Sequence, residues 1–228
     1  MQWSGRRGVP PGASITLPQA WALARELDWL HMERNDIPAL FARVGLAGEF
    51  WAAAPPPMVR EETPEDHDGI RRVNRLAFGG EGEAMLVDRL RADGLVITSL
   101  VAVEGAQVVG HILFSELPVE TETGILCAAA LAPMAVLPEW QKRGVGTALV
   151  RRGLEVCRER GKTVVIVLGR PGYYPRFGFS AELARSLRGP FPGDSWMALE
   201  LTPGALAGVS GTVRYPEAFG LGAAHAAE

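Results

Sequence analysis

The 228-residue sequence predicts an α/β fold built on a mixed α+β sheet. Three observations carry that reading. Residues 99–103 and 107–117 are apolar, β-branched runs joined through Glu104-Gly105, the pattern of an antiparallel hairpin. Residues 125–137, an amphipathic segment ending near Arg160, and residues 163–168 form a compact strand–helix–strand unit, which requires a parallel pair with a right-handed crossover. Hydrophobic residues make up 47% of the chain and charged residues 21%, enough apolar surface for one domain with a real core.

The elements follow in order. The first 57 residues stand apart: Trp3, Trp21, Trp29 and Trp51 fall there, and the stretch runs out through Ala52-Ala53-Ala54-Pro55-Pro56-Pro57, a stiff linker or boundary. Helices over residues 18–32 and 37–44 are expected within it, the first with Pro18 in its opening turn. Two readings stand for residues 1–57: a helical appendage docked on the main domain, or a segment foreign to the natural protein, with Met58 as the true start. Residues 58–61 read as a short strand. Thr63-Pro64-Glu65-Asp66 is a helix entry, with a capping hydroxyl, Pro at the first position and acids in the first turn. Ile70, Val73, Asn74 and Ala77 keep helical spacing until Gly79-Gly80, and a second helix over residues 83–92 places Leu86, Val87 and Leu90 on one side.

After the hairpin, residues 121–124 turn and residues 125–137 form a long apolar strand. Pro133 lies inside it and removes a ladder donor, so an interruption or bulge is expected there. The next helix, closed by Gly161, buries Leu149, Val150, Gly153, Leu154 and Cys157 and exposes Arg151, Glu155, Arg158 and Glu159. Residues 163–168 are nearly all β-branched, as in a strand covered on both faces. A short helix near 173–177, a strand after Gly178, a last strand over 195–201 and a C-terminal tail of residues 202–228 complete the chain.

Composition excludes several classes. The net charge of −3 argues against a nucleic-acid partner, which needs a surplus of Lys and Arg. Cys127 and Cys157 show no C-x-x-C spacing and are too few for a disulfide framework, so neither a metal site nor an oxidising compartment is expected. Both cysteines are expected in the core. The apolar charge-free run over residues 123–138 is 16 residues and contains Pro133, whereas a membrane-spanning helix needs about 20. No membrane association is expected, and the expected location is cytoplasmic.

The sharpest chemical signal is Gln141-Lys142-Arg143-Gly144-Val145-Gly146-Thr147, between the end of a buried strand and an amphipathic helix. Backbone amides at a helix start lack partners and carry partial positive charge. Gly144 and Gly146 admit a ligand close to the backbone, and Lys142 and Arg143 add full charges, which together make an anion cradle suited to phosphate or diphosphate. A dinucleotide fingerprint fails because position 149 is Leu, and a P-loop fails because position 156 is Val.

Gln141-x-x-Gly144-x-Gly146, preceded by Met134-Ala135-Val136-Leu137-Pro138, resembles the cofactor motif of the GNAT-type N-acetyltransferase superfamily. Tyr173-Tyr174-Pro175-Arg176-Phe177-Gly178-Phe179 resembles that family's Tyr-x-x-x-Gly-Phe segment, and the likeness covers residues 58–201. It implies a GNAT-like acyl-CoA N-acyltransferase fold, a central mixed sheet splayed between the fourth and fifth strands and flanked by helices. It also implies acetyl-CoA as co-substrate, with no metal. Met134, Ala135 and Val136 would offer backbone groups to the pantetheine arm and thioester. Lys142, Arg143, Gly144, Val145, Gly146 and Thr147 would hold the diphosphate, and Tyr174 would protonate the leaving thiolate.

The chemistry is direct attack by a neutral amine, assisted by proximity, by a backbone N–H at the carbonyl oxygen and by a phenol as general acid. Tyr173 is the rival for the acid, since neighbours on a helical turn point about 100° apart. Glu116, Glu120, Glu122, Glu139 and His111 lie on or beside the central strands, and none is singled out as the base. The acceptor is a small-molecule or protein amine, its pocket expected from the first two helices, residues 79–82 and residues 117–124. The competing function is a non-catalytic acyl-CoA-binding sensor or regulatory module. Oligomeric state is left open, a homodimer included.

Overall fold

The computed structural model describes residues 57–221. The helices expected over residues 18–32 and 37–44 lie outside the described residues. Strand β1 (Met58–Glu61) leads through a 3-10 turn, Pro64–Asp66, into α1 (His67–Phe78), which ends at Gly79 with φ +78°. The entry is a capping box: Thr63 N donates to Asp66 Oδ2 at 2.8 Å, and Arg60 clamps the same carboxylate at 2.6 and 2.9 Å. Then come α2 (Gly82–Ala92), β2 (Val96–Glu104), β3 (Gln107–Thr121) and β4 (Gly124–Val136). After them stand α3 (Val145–Glu159), β5 (Val164–Leu168), a 3-10 turn over Tyr174–Phe177, and α4 (Ala181–Ala184). Strands β6 (Leu187–Arg188), β7 (Trp196–Glu200) and β8 (Gly211–Val213) complete the order.

The sheet runs β1-β2-β3-β4-β5-β7, with β8 pairing β3 and β6. β4 and β5 are parallel and β5 and β7 antiparallel, so the sheet is mixed, as the strand–helix–strand unit requires. The register steps from Ile112↔Met134 to Phe114↔Leu131, so Ala132 and Pro133 together face Leu113: this is the bulge expected at Pro133. The β4–β5 ladder holds at Ala129↔Val165 and Ala130↔Ile166 and then stops. Beyond Ala130 the β5-facing edge of β4 has no strand partner among the described residues, and the sheet forks between its fourth and fifth strands.

Helix α3 packs on one face of β2, β3 and β4. It buries Leu149, Val150, Gly153, Leu154 and Cys157, the stripe its sequence spacing predicts. Close approach is possible because Gly110 and Gly153 lack a Cβ: one on Gly110 would meet Leu149 and Val145 at 3.0 Å, and one on Gly153 would meet the Phe114 ring at 2.2 Å. Side chains alternate across a strand, so His111, next to Gly110, points to the opposite face and meets Asn74 of α1. A second core, including Leu117, Ala130, Ile166, Trp196 and Val213, covers the β5–β7 side.

Three expectations are corrected. The strand expected directly after Gly178 is a single bridge: Ser180 pairs with Ala198 and then caps α4, accepting from Glu182 N at 3.1 Å. The strand over Trp196–Glu200 is not the last, because β8 pairs with the end of β3 at Val119↔Val213. That approach needs Gly211, where a Cβ would sit 2.7 Å from the Glu120 carbonyl oxygen. Cys127 is exposed rather than in the core. It alternates with Leu126 and Ala128, which turn toward the second core, and its own face of β4 is uncovered near the hairpin end. Cys157 is buried as expected, and burial pushes its thiol up to about 12. Among the described residues no helix is long and apolar enough to cross a membrane.

Candidate active site at the sheet fork

The fork and the start of α3 meet at the Gln141–Thr147 segment. Trp140 N donates to Leu137 O at 2.8 Å, and the Gln141 side chain donates to Val136 O at 3.1 Å, tying the loop to the end of β4. Lys142 then takes φ +61° and Gly144 φ +84°. A left-handed conformation at a non-glycine costs about 1–2 kcal/mol, so Lys142 holds local strain in the turn. A Cβ at Gly144 would meet nothing within 4 Å; glycine is required there by backbone conformation, not by crowding. The first α3 bond runs from Ala148 N to Gly144 O at 2.9 Å, which leaves the amides of Val145, Gly146 and Thr147 without intrahelical acceptors. Gly144, at the N-cap, has no side chain to take them. Alternating turns of this kind gather N–H groups into an anion-binding hollow.

Lys142, Arg143 and Gly144 are exposed, Gly146 and Thr147 are partly buried, and the Val145 side chain is buried against Gly110. Only the Val145 backbone can therefore face a ligand. The Arg143 guanidinium lies 5.3 Å from the Trp140 ring centroid. Met134 is partly buried and Ala135 and Val136 are buried; they pair with β3 at Ile112, His111 and Gly110, and the Leu137 N to Val109 O bond sets a register in which the Ala135 peptide groups turn to β3 while those of Met134 and Val136 turn to the fork.

The two tyrosines diverge, with ring planes 87° apart and centroids 5.2 Å apart. Tyr174 is 7% exposed. Its ring lies against Gly169, at the end of β5, where a Cβ would sit 2.1 Å from Cε2, and packs edge-on to Phe179 at 5.6 Å. Burial raises its phenol pKa, so the group stays protonated across the physiological range. Tyr173 reaches the other wall: a Cβ on Gly146 would lie 2.8 Å from its hydroxyl and 3.5 Å from the Met134 sulfur. Gly146 thus makes room for a phenol of the same chain, a role its sequence pattern does not reveal.

The acid–base candidates sort by their partners. Lys162 grips Glu116 at 2.7 Å and Arg214 grips Glu120 at 2.8 Å. His111 is wholly buried. Asn74 Nδ2 donates to Ile70 O at 3.0 Å and to His111 Nδ1 at 3.1 Å, so the ring proton sits on Nε2 and points to Ser99 Oγ at 2.9 Å. Ser99 in turn donates to Glu62, which Arg91 holds at 2.8 and 2.6 Å. Burial drives His111 down to about 3 despite the Glu62 charge, leaving it neutral and out of reach of a substrate. This directed chain is missed by sequence reasoning, because its members, Asn74, His111, Ser99, Glu62 and Arg91, come from five separate segments.

An open cleft of about 410 Å³, lined by Arg185, Arg188, Phe191 and Trp196 among others, includes none of the residues named above for chemistry.

Comparison with known proteins gives this geometry its context. Residues 58–181 match the family model described as an acetyltransferase (GNAT) domain. The N-acetyltransferase YhbS of Escherichia coli K12, itself uncharacterised, is 37% identical over 165 residues, 71% of this chain and 98% of YhbS. The crystal structure of Escherichia coli YhbS in complex with CoA superposes with a TM-score of 0.67 at 36% identity, covering 73% of this chain and 93% of that one. A GNAT acetyltransferase from Brucella melitensis, solved with acetyl-CoA, gives a TM-score of 0.59 at 34% identity, covering 71% and 97%. With the fork, the bulged fourth strand and the glycine turn all in place, the chain belongs to the GNAT acetyltransferase family and is an acyltransferase.

Proposed function

We propose that this chain transfers the acetyl group of acetyl-CoA to a primary amine, with both substrates held together at the fork. The observation that carries the reading is the edge of β4 beside the start of α3, which has no strand partner, and where three amides have no acceptor, among the described residues. The cradle fits a diphosphate: it is open over Gly144, and Lys142 and Arg143 flank it with positive charge. Acetyl-CoA, when bound, supplies an activated acyl group as a thioester.

The chain's residues do the rest. The amides of Val145, Gly146 and Thr147, with Lys142 and Arg143, anchor the anionic end. Of the Met134-Ala135-Val136 segment, the fork-facing groups of Met134 and the Val136 N–H are offered to the pantetheine arm, and an N–H aimed at the thioester oxygen stabilises the charge that develops there. Tyr174 is the proton donor to the departing sulfur. It stands at the fourth position before Gly178, among the described residues no side chain takes its hydroxyl, and burial keeps it protonated. Holding amine and thioester together removes most of the entropic barrier. The catalytic domain is residues 58–201, with β8 drawn onto its sheet from beyond that limit.

Incubation with acetyl-CoA and a panel of small-molecule and peptide amines, followed by free-thiol release, tests the reading; thiol release that depends on both substrates is expected. Calorimetric titration with coenzyme A should give heat for the wild-type chain, and about none for Gly144→Glu, which adds a side chain and a negative charge at the left-handed turn. Cofactor binding without transfer across the whole panel would make the protein a sensor instead. No heat from the wild-type chain would end the assignment.

A further inference from the structure

We propose that Tyr173 belongs to the diphosphate cradle: its phenol hydroxyl, carried across the fork from the segment after β5, adds a side-chain donor to the backbone amides at the start of α3. This rests on the acetyl-CoA reading above. The hydroxyl sits over the first turn of the helix, 2.8 Å from where a Gly146 Cβ would stand, with the Met134 sulfur 3.5 Å from the same point. The phenol therefore lies over the helix start whose first amides have no acceptor among the described residues, and a side chain at position 146 would crowd it.

The ring is held in that direction by its neighbours. The Arg176 guanidinium lies 4.7 Å from its centroid, and Phe177 packs edge-on at 5.4 Å. Burial raises the phenol pKa, and a hydrogen bond with the Thr147 side chain and the charge of Arg176 oppose that rise. Thr147, on the same first turn of α3, is the phenol's side-chain neighbour there. Around the phenol proton at the helix start lie the Gly146 and Thr147 amides and the outward positive pole of α3. A proton in such company is suited to an anionic oxygen brought from outside, and a diphosphate provides one. Tyr173 and Tyr174 then divide the work, the first holding the anion and the second serving the sulfur.

The test is calorimetric titration of the full chain with coenzyme A, together with the ³¹P resonances of the bound diphosphate. Tyr173→Phe keeps the ring, its contact with Arg176 and its packing, and removes only the hydroxyl. We expect its Kd to rise about tenfold, the scale of one lost hydrogen bond to a charged group, and its bound ³¹P resonances to move. Thr147→Val removes the partner hydroxyl without touching the ring, and is expected to weaken binding in the same direction. The double variant should lose less than the product of the two single losses, because the groups act as a pair. If Tyr173→Phe leaves Kd within about twofold of wild type and the ³¹P resonances unmoved, the phenol is packing and the proposal is wrong. If Tyr173→Phe fails to fold, undiminished binding by Thr147→Val overturns the proposal in its place. Absence of heat from the wild-type chain overturns the cofactor reading first and this assignment with it.

Discussion

Tyr173 and Tyr174 are adjacent in the chain, yet two glycines far apart in sequence seat them on different walls. Gly146 lies under the hydroxyl of one and Gly169 against the ring of the other. The Tyr-x-x-x-Gly-Phe spacing is legible in the sequence, but the direction each ring takes is not, because it depends on contacts with α3 and with the end of β5. On the proposed mechanism, Tyr174→Phe removes the acid and keeps the ring on Gly169. Turnover should fall about 100-fold, read by steady-state kinetics, while calorimetric affinity for acetyl-CoA stays close to wild type. Undiminished turnover would take Tyr174 out of the mechanism.

Among the elements, α3 is the clearest case of sequence dictating structure. Its apolar spacing, the closing Gly161 and the turn before it are all visible in the string of residues, and its buried face is the one so predicted. What spacing cannot show is why position 153 is glycine. Gly→Ala in an ordinary helix gains about 1 kcal/mol. Here the added methyl would sit 2.2 Å from Phe114 Cε2, so overpacking outweighs that gain. We expect Gly153→Ala to lose about 1–3 kcal/mol net, seen as a lower urea midpoint; a raised midpoint would contradict the contact. The bulge at Pro133 was also legible, since a residue without an N–H cannot complete a ladder. Strand β8 was not: its three residues are too few to show a period, and they are held by partners on β3 and β6. Cys127 misleads for a related reason. It sits in a run of apolar residues without alternation, so the sequence does not tell which face of β4 is covered.

For the molecule as a whole, stability should depend on pH through two groups that are charged or neutral for different reasons. His111 is buried and its folded pKa falls to about 3 from 6.5. The unfolded chain therefore binds a proton that the folded chain refuses, and stability drops as pH falls below 6.5, by about 1.4 kcal/mol per pH unit once well under that value. Asp66, held by Arg60 and the Thr63 amide, is depressed from 3.8 to about 2. Its contribution, about 2 kcal/mol, is present above 3.8 and is lost as pH falls through about 2. Urea unfolding at pH 7, 6 and 5 isolates the histidine, because the Asp66 window lies lower. A flat midpoint over that range would mean that His111 takes up its proton as readily folded as unfolded.

Two rungs, Ala129↔Val165 and Ala130↔Ile166, stitch the fourth strand to the fifth. Past them the slot is bounded by side chains instead of ladder bonds, with the first turn of α3, Met134 and the Tyr173 hydroxyl meeting at Gly146 and the Tyr174 ring seated on Gly169 at the end of β5. A change of side-chain volume in either lining therefore widens or narrows the slot without breaking a single rung. On the proposed function, trimming those linings is the route by which bulkier acyl chains are admitted while the sheet is inherited intact.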